Sequence, residues 1–397
     1  MENKAIRELT LEKTMIKQLC LILSLFFLET ICTGQNVGNI AGDPGFFPIA
    51  VWVQNPENAA AYKSNGINMF VGIWGGLDQV KFDHLKTAGI RVICDQNDFG
   101  LSRINESTIY AWMHGDEPDN AQMNRKTKSY DPCVEPSLII KSYAEIRKKD
   151  PSRPVYLNLG QGVSYINYIG RGTCRGDIDK YKVSANGYLK GCDIASFDIY
   201  PVNNRDEETR NNLWYVAKGI DSLNSWSDNL KPVWCWIECT KIAEKNPRKP
   251  TTAEVKAEVW MALIHGAEGI GYFCHTFIPP ADDAALLHDA VMIKAVKAIN
   301  QQVTELAPVL NSPGTEEYAS VKSSNDSVPV DIMTKTYDNA NYIFAVGMRL
   351  GFTTATFKVK EGTTAEVIGE DRTIAVINGE FSDEFSPFGV HLYKIRM

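Results

Sequence analysis

Two adjacent carboxyl residues, Asp116 and Glu117, end an apolar segment in the stretch YAWMHGDEPDN. A third, Glu238, ends the apolar segment PVWCWIE. Paired carboxyl groups can divide the work of bond cleavage, because one donates a proton while the other attacks or activates water. An acid at a strand end is also a common helix N-cap, and that structural interpretation stays open above all for Asp95 and Asp119.

Polar and aromatic side chains stand at or near the ends of other apolar segments. Side chains alternate along a strand, so Ser196, Asp198 and Tyr200 share one face of IASFDIY. Polar residues at a period of two on a buried strand indicate that this face lines a polar site. Flat aromatic rings suit the apolar C–H faces of sugars, and Asp, Asn and Tyr suit their hydroxyls. The candidate substrate-binding residues are Asp116, Tyr200, Asp198, Asn158, Trp52, Trp74, Trp236 and His275.

The elements that must position these residues are eight short apolar segments, which alternate with helical stretches between residues 48 and 277. Their continuous hydrophobicity is typical of parallel strands covered on both faces. Junctions such as LKTAGIRVI place a glycine where a left-handed helix cap is needed. The pattern predicts an α/β fold, a (β/α)8 TIM barrel over residues 40–308. A doubly wound sheet, the alternative, often has a Gly-rich turn after its first strand, whereas WVQNPEN follows here.

The alternation of strands and helices ends at LAPVLNSPGTEE, which contains two prolines and a glycine. Short β-rich segments with turns such as NG and DN follow it, and no helical pattern occurs among them. This part of the sequence predicts a small antiparallel β-sandwich over residues 312–397.

The first 34 residues have the layout of a secretory signal peptide. A short basic region starts at Met15, the apolar segment LCLILSLFFL follows, and the small residues CTG predict cleavage near Gly34. We therefore expect a secreted, periplasmic or cell-surface protein. Lipid attachment at Cys32 is the alternative, although ETIC is a poor lipobox. No other stretch of the sequence is long and apolar enough to span a membrane.

Charge and motif content narrow the possible partners. The net charge of −7 argues against a nucleic-acid partner held by bulk electrostatics. The sequence has no phosphate loop, no GxSxG elbow and no histidine cluster, so we expect neither a cofactor nor a metal. Alternation along PVWCWIE directs Cys235 and Cys239 away from Glu238, which indicates a packing role. Cys133 and Cys174 lie in polar segments and would be able to pair in an oxidising compartment.

Three segments together resemble the retaining glycoside hydrolases of clan GH-A. WMHGDEPD resembles their strand-four acid/base segment, PVWCWIE their strand-seven nucleophile segment, and FDIYP the strand-six segment whose tyrosine contacts the nucleophile. The tail RTIAVINGEFSDEFSPFGVHLYKI resembles the last strands of an appended β-sandwich. The resemblance implies that Glu117 is the acid/base, Glu238 the nucleophile and Tyr200 its partner.

The sequence departs from this pattern at two places. Asp116 stands where the clan has an asparagine, and strand eight offers His275 or Phe277 instead of a tryptophan. The resemblance therefore implies cleavage of a β-linked polysaccharide or oligosaccharide, with endo-acting β-glucanases, β-1,3-glucanases in particular, and β-galactan-cleaving enzymes both open. Two other functions remain: a substrate-assisted N-acetylhexosaminidase that uses Asp116 and Glu117, and a non-catalytic carbohydrate-binding protein.

Overall fold

Eight parallel strands close into a barrel that occupies the first part of the described chain. The computed structural model describes residues 43–124, 126–167, 177–315 and 318–396, so the predicted signal peptide and Cys174 lie outside the described residues. In chain order the strands are β1 (Ile49–Trp52), β2 (Met69–Val71), β3 (Arg91–Cys94), β4 (Ile109–Met113), β5 (Gln122–Asn124), β6 (Ser129–Asp131), β7 (Val155–Leu159), β8 (Ile194–Asp198), β9 (Val233–Glu238) and β10 (Gly269–Phe273). Strands β5 and β6 form a separate hairpin, and the other eight form the barrel in chain order. Each barrel strand lies in one of the eight apolar segments, so the predicted barrel is confirmed.

Helices connect the barrel strands on the outside. They are α1 (Ala59–Ser64), α2 (Gln79–Ala88), α3 (Asp98–Leu101), α4 (Pro136–Lys149), α5 (Tyr215–Trp226), α6 (Thr252–Ile264), α7 (Ala290–Glu305) and α8 (Ala307–Leu310). Helix α2 ends at Gly89, whose φ of 66° is the left-handed cap that the sequence predicts. Helix α6 begins with a capping box, in which Thr251 and Glu254 each bind the other's backbone N–H. Within the described ranges, no helix is long and apolar enough to cross a membrane.

Large aromatic rings fill the inside of the barrel. Trp234 and Trp236 point inward from β9 and are buried. The facing positions on β10 are Gly269 and Gly271, where an added Cβ would lie 2.5 Å and 2.2 Å from the two indole rings. The sequence GIG in β10 thus makes room for the tryptophans of its neighbour, because close-packed interiors tolerate no such overlap.

The second part of the described chain is an antiparallel sandwich, as predicted. Its strands are β11 (Ala319–Ser323), β12 (Val330–Tyr337), β13 (Ala340–Gly347), β14 (Thr353–Val359), β15 (Thr364–Val367), β16 (Arg372–Ala375), β17 (Glu380–Phe385) and β18 (Val390–Arg396). One sheet has the order β11-β14-β17 and the other β12-β13-β18-β15-β16. Asp338 and Asn339 both have positive φ and close the β12–β13 hairpin with the twist that two-residue hairpin loops prefer.

Strand β13 joins the sandwich to the barrel because both of its faces are buried. Ile343 and Ala345 belong to the core of the sandwich, whereas Phe344 and Val346 pack into the apolar layer outside the barrel. The ring of Phe344 lies 5.4 Å from that of Trp260 on α6. The interface between the two parts is therefore built around an apolar contact with α6.

A histidine at the end of α6 adds a polar link at this interface. The Nδ1 atom of His265 lies 2.9 Å from Asp221 on α5, and its Nε2 atom lies 3.2 Å from Asp331 on β12. Burial by itself lowers the pKa of His265, but the hydrogen bonds to the two carboxylates outweigh it and raise the pKa to about 9. The imidazolium form thus ties the barrel to the sandwich at neutral pH.

We expect His265→Gln to lower the free energy of unfolding by about 1–2 kcal/mol at pH 6, since both partner carboxylates are partly exposed and screened. A histidine whose folded pKa is raised contributes its full stability below its unfolded pKa of about 6.5. That contribution is lost as the pH rises through about 9. Urea denaturation at pH 6, 8 and 10 should therefore show the variant approaching wild type, with exposed His84→Gln as control. An equal deficit at pH 6 and pH 10 would contradict the ionic link.

Candidate active site

Three carboxyl groups meet at the mouth formed by the carboxyl ends of the strands. Asp116 and Glu117 follow β4, and Asp198 ends β8. The Asp198 carboxyl contacts both the carboxyl of Glu117 and the hydroxyl of Tyr200. Burial, followed by the charges of Glu117 and Asp116, raises the pKa of Asp198 well above its usual value. Like charges this close disfavour ionisation, so Asp198 is the carboxyl that keeps its proton beside Glu117.

The backbone holds Glu117 in a conformation that few non-glycine residues adopt, with a φ of 42°. Its N–H donates to the carbonyl of Asn158 at 3.1 Å, and the amide of Asn120 donates to its Oε2 atom at 3.3 Å. A Cβ added at Gly160 would lie 3.0 Å from Oε1. Glu117 is therefore fixed across the ends of β4 and β7, and strain of this kind is frequent at functional sites.

Asp116 is positioned by a chain of buried hydrogen bonds that crosses the barrel. The side-chain N–H of Asn158 donates to Asp116 at 2.9 Å, and the Oδ1 atom of Asn158 accepts from Ser196 at 2.6 Å. The Ser196 hydroxyl also contacts the hydroxyl of Tyr156, which accepts from the indole of Trp236 at 3.0 Å. Asp116 itself is exposed, so its carboxylate is available to a ligand at the mouth.

Burial corrects the role that the sequence suggests for four of the candidate binding residues. Asn158 and Trp236 lie inside the barrel, below the mouth, as parts of the chain just described. Trp52 is buried with its ring 4.9 Å from that of Trp236. His275 is also buried, and its Nε2 atom contacts the carbonyls of Trp52 and Val53. Because these side chains are buried, they pack beneath the mouth and support it.

The accessible candidates are Asp116, Glu117, Asp198, Tyr200 and Trp74, which are at least partly exposed. The ring of Tyr200 packs 5.2 Å from that of Phe273. Its hydroxyl contacts Asp198, so the implied partnership with Glu238 is not what the structure shows. Phe273 was missed in the sequence, where the alternation along GIGYF would have directed it into the mouth with Gly269 and Gly271.

Asp119 accepts hydrogen bonds from residues that follow β7 and does not act as a helix cap. Its Oδ1 atom accepts from the N–H of Gly160 at 2.9 Å, and its Oδ2 atom accepts from the hydroxyl of Tyr181 at 2.9 Å. Burial raises the pKa of Asp119 to about 6, although the bond from Gly160 opposes the shift. Asp95 is exposed, and the neighbouring helix α3 is capped by Asn97 instead.

Glu238 is enclosed away from the mouth, which corrects the orientation that strand alternation predicts. Its side chain is 0% exposed. Oε1 accepts from the N–H of Val202 at 2.6 Å, and Oε2 accepts from the N–H of Asn203 at 2.8 Å and from its amide at 2.5 Å. The strand ends at this residue, and the loop after β8 draws the carboxyl toward its own backbone donors.

A second buried carboxyl, Glu258 on α6, faces Glu238. It is also 0% exposed, and neither of its oxygens has another hydrogen-bond partner among the described residues. Burial raises the pKa of Glu238 to about 7 even though the bonds from Asn203 and Val202 lower it. Burial and the charge of Glu238 raise the pKa of Glu258 well above its usual value. Burial thus disfavours ionisation of both carboxyl groups, and that of Glu258 above all. A glutamate inside the otherwise apolar stretch AEVWMAL was the sequence signal for this pair.

The cysteines near β9 pack as the sequence predicts. Cys235 and Cys239 belong to the apolar layer between the strands and the helices. In the described part of the chain, no group of three or more His, Cys, Asp and Glu residues is arranged to hold a metal ion. The suggested pairing of Cys133 with Cys174 stays a prediction, since Cys174 lies outside the described residues.

The fold is similar to those of several solved carbohydrate-active enzymes. AmyP in complex with maltotriose superposes with a TM-score of 0.54 and 12% sequence identity, covering 91% of this chain and 99% of AmyP. Gan42B, a GH42 β-galactosidase from G. stearothermophilus, superposes with a TM-score of 0.53 and 10% identity, covering 89% of this chain and 98% of Gan42B. No protein-family model and no curated protein matches the sequence. At these identities the likeness establishes the architecture, a TIM barrel with an appended β-sandwich, which the chain shares with these glycoside hydrolases over nearly their whole length.

Proposed function

We propose that this chain is a secreted β-glycoside hydrolase that acts on a polysaccharide or oligosaccharide, with Glu117 as its general acid. The observation that carries the proposal is the contact between Glu117 and Asp198 at the accessible mouth of the barrel. The Asp198 carboxyl beside Glu117 keeps its proton above the usual range of an aspartate, so an acid is present at the mouth, as glycosidic bond cleavage requires. A protein that only binds sugars would gain nothing from keeping three carboxyl groups together.

Glu117 is suited to the acid step by its surroundings. Its left-handed backbone and the contacts from Asn120 and Asn158 restrict the carboxyl to one position. A general acid must be held within hydrogen-bond reach of the oxygen that it protonates. Asp116, fixed by Asn158 and exposed, is placed to accept a hydrogen bond from a hydroxyl or amide of the bound sugar.

The retaining mechanism implied by the clan resemblance needs a carboxylate that attacks the anomeric carbon. The sequence assigns this role to Glu238, whose carboxyl would first have to leave the N–H groups of Val202 and Asn203. Asp198 does not replace it, because its contact with Glu117 is closer than the about 5–5.5 Å that separates the two carboxyl groups of retaining enzymes. Double displacement through Glu238 thus belongs to the proposal together with an opening of that loop.

The enclosure of Glu238 favours a second candidate function, substrate-assisted cleavage of an N-acetylhexosaminide. In this chemistry the acetamido oxygen of the substrate attacks, so no enzyme nucleophile is needed. An exposed aspartate beside the acid would orient the acetamido group, and Asp116 has that place next to Glu117. Under this scheme the burial of Glu238 has no catalytic cost.

One experiment separates these functions. The chain from residue 35 onward should be assayed against aryl β-glycosides of glucose, galactose and N-acetylglucosamine and against neutral β-glucans and β-galactans. We expect hydrolysis of a sugar without an acetamido group, with the β-anomer as first product in ¹H NMR. Cleavage of N-acetylhexosaminides alone, inhibited by a thiazoline of that sugar, would establish the second function. Binding without cleavage of any substrate would leave only a carbohydrate-binding protein.

Secretion is part of the proposal on the strength of the first 34 residues. N-terminal sequencing of protein exported by an expressing bacterium is expected to begin near Gln35. Exported protein that retains residues 15–30 would contradict cleavage, and a lipid on Cys32 would replace release with anchoring.

A further inference from the structure

A row of aromatic rings leads from the three carboxyl groups along the rim of the barrel. It begins at Tyr200, which contacts Asp198, and passes to Phe273 at 5.2 Å and to the ring of His275 at a further 5.0 Å. From His275 the row divides to Trp74 at 6.3 Å and Phe277 at 6.1 Å. The row runs from β8 past the end of β10 to the loop after β2, so it follows one side of the rim.

The last two rings of the row are exposed although they are held in place. Trp74 is 59% exposed and Phe277 is 58% exposed. The indole N–H of Trp74 donates to Asp283 at 3.2 Å, and the backbone N–H of Phe277 donates to the carbonyl of Ile242 at 2.7 Å. Two exposed rings that lie on either side of one buried imidazole offer apolar surface to a ligand at the rim. We call Trp74 and Phe277 the aromatic shelf.

The charges beside the row indicate what kind of chain lies on it. Asp198, Glu117 and Asp116 stand at its inner end, and Asp283 stands behind the shelf. Carboxylate or sulfate groups on a glycan would be repelled at both ends. A neutral sugar, which offers apolar C–H faces to the rings and hydroxyls to the carboxylates, fits this pattern.

The far side of the acid is also open. A cavity of about 440 Å³ lies between the ends of β3 and β4 and helix α4, and Asp116 is part of its lining. Polar side chains line it as well, among them Gln96, Gln122 and Glu145. The carboxyl cluster is therefore bordered by the aromatic row on one side and by a polar cavity on the other, and the mouth is not a closed pocket for one terminal sugar.

We propose that the aromatic shelf binds sugar residues of a neutral polysaccharide away from the bond that is cut, so that the enzyme cleaves within the chain rather than at its end. This inference rests on the proposed function for the cleavage itself. Binding at the shelf depends only on Trp74 and Phe277. Binding and cleavage are therefore tested in separate experiments.

The binding test uses Glu117→Gln as background so that the polymer stays intact. Affinity electrophoresis in gels with β-1,3-glucan, β-1,4-glucan, β-1,4-galactan, mannan or xylan is expected to retard this protein for at least one polymer, and polygalacturonate is expected not to. Adding Trp74→Ala or Phe277→Ala should weaken the retardation about tenfold in apparent Kd. Phe352→Ala, which removes a ring that is 74% exposed on the sandwich, is the matched control and should change nothing. Three results would contradict binding at the aromatic shelf. They are retardation by polygalacturonate alone, retardation by none of the polymers, and retardation that does not depend on Trp74 and Phe277.

The hydrolysis test compares the retarding polymer with the best aryl glycoside. For Trp74→Ala we expect the ratio of kcat/KM on the polymer to kcat/KM on the aryl glycoside to fall about tenfold. Wild type should release mainly oligosaccharides at early times, as cleavage within a chain requires, and release of monosaccharide alone would overturn the inference. If retardation depends on the shelf but wild type cleaves nothing, the proposed function fails and the shelf stands. If wild type cleaves the polymer and the ratio does not move, the shelf fails and the proposed function stands.

Discussion

Glu117→Ala is expected to lower kcat/KM on the natural polysaccharide by about 10²–10⁴-fold, the usual contribution of a general acid–base group. The loss should depend on the leaving group. A dinitrophenyl glycoside departs without protonation, so its first step should survive in the variant, while the second step slows because no base activates water. A burst of dinitrophenol followed by slow turnover is therefore the expected record in stopped-flow absorbance.

Azide distinguishes this role from simple damage to the site. An anion that needs no general base should restore turnover in Glu117→Ala and give a β-glycosyl azide if the mechanism is double displacement. Glu106→Ala removes an exposed carboxyl just before the opposite end of β4 and is the matched control, with wild-type kinetics expected. Wild-type turnover of the polysaccharide by Glu117→Ala would show that GDEPDN is not the acid segment. An α-azide product would assign the nucleophile role to Glu117 instead.

The sequence was sufficient to predict the barrel because each barrel strand is a continuous apolar segment and the connecting glycines follow helices. Gly89, for example, has the positive φ that its place after α2 implies. It was also sufficient to bring Asp116, Glu117 and Asp198 to one mouth, since the carboxyl ends of parallel strands meet at the same end of a barrel. The contact between Glu117 and Asp198 depends on side chains from β4 and β8, which no local pattern relates.

Burial could not be predicted at the last residue of a strand. Alternation places Glu238 inward after Trp234 and Trp236, but the strand ends there and the side chain follows the N–H groups of Val202 and Asn203. The sequence pattern likewise does not show how far below the rim of the barrel a side chain lies. Trp74 stands at or near the carboxyl end of a barrel strand, as Trp52 and His275 do, yet of these three only Trp74 extends beyond the rim. The mouth residues thus follow from topology, whereas their exposure follows from how the rings pack.

Glu238 and Glu258 are expected to differ in their response to the same isosteric change. Glu238→Gln puts an amide N–H₂ group among the donors of Val202 and Asn203, so one buried hydrogen bond becomes a clash. We expect it to lower the free energy of unfolding by about 2–4 kcal/mol. Glu258→Gln keeps a donor toward Glu238 and removes a buried acid, so we expect wild-type stability at pH 6. Urea denaturation of both variants measures the difference.

The pH dependence of stability tests this buried pair directly. A carboxyl whose folded pKa is raised favours folding fully only below its unfolded pKa of about 4.5, and burial raises the folded pKa of both Glu238 and Glu258, so wild type loses this stability as the pH rises above that value. Because the amide of Glu258→Gln cannot ionise, this variant should lose less stability than wild type between pH 5 and pH 8, by roughly 1–2 kcal/mol. Parallel curves for wild type and Glu258→Gln would contradict a raised pKa at Glu258.

Activity of Glu238→Gln then decides whether the buried carboxyl also reacts. The assay must be run at a temperature where circular dichroism shows the variant folded, with Glu258→Gln as the control for altered packing. Double displacement through Glu238 predicts that no substrate is turned over, including a dinitrophenyl glycoside, because no covalent intermediate can form. It also predicts that azide, if it rescues at all, gives the α-product. Folded Glu238→Gln with a wild-type kcat would remove Glu238 from the reaction. The mouth would then act through Asp116, Glu117 and Asp198 alone, which is the arrangement that substrate-assisted cleavage needs.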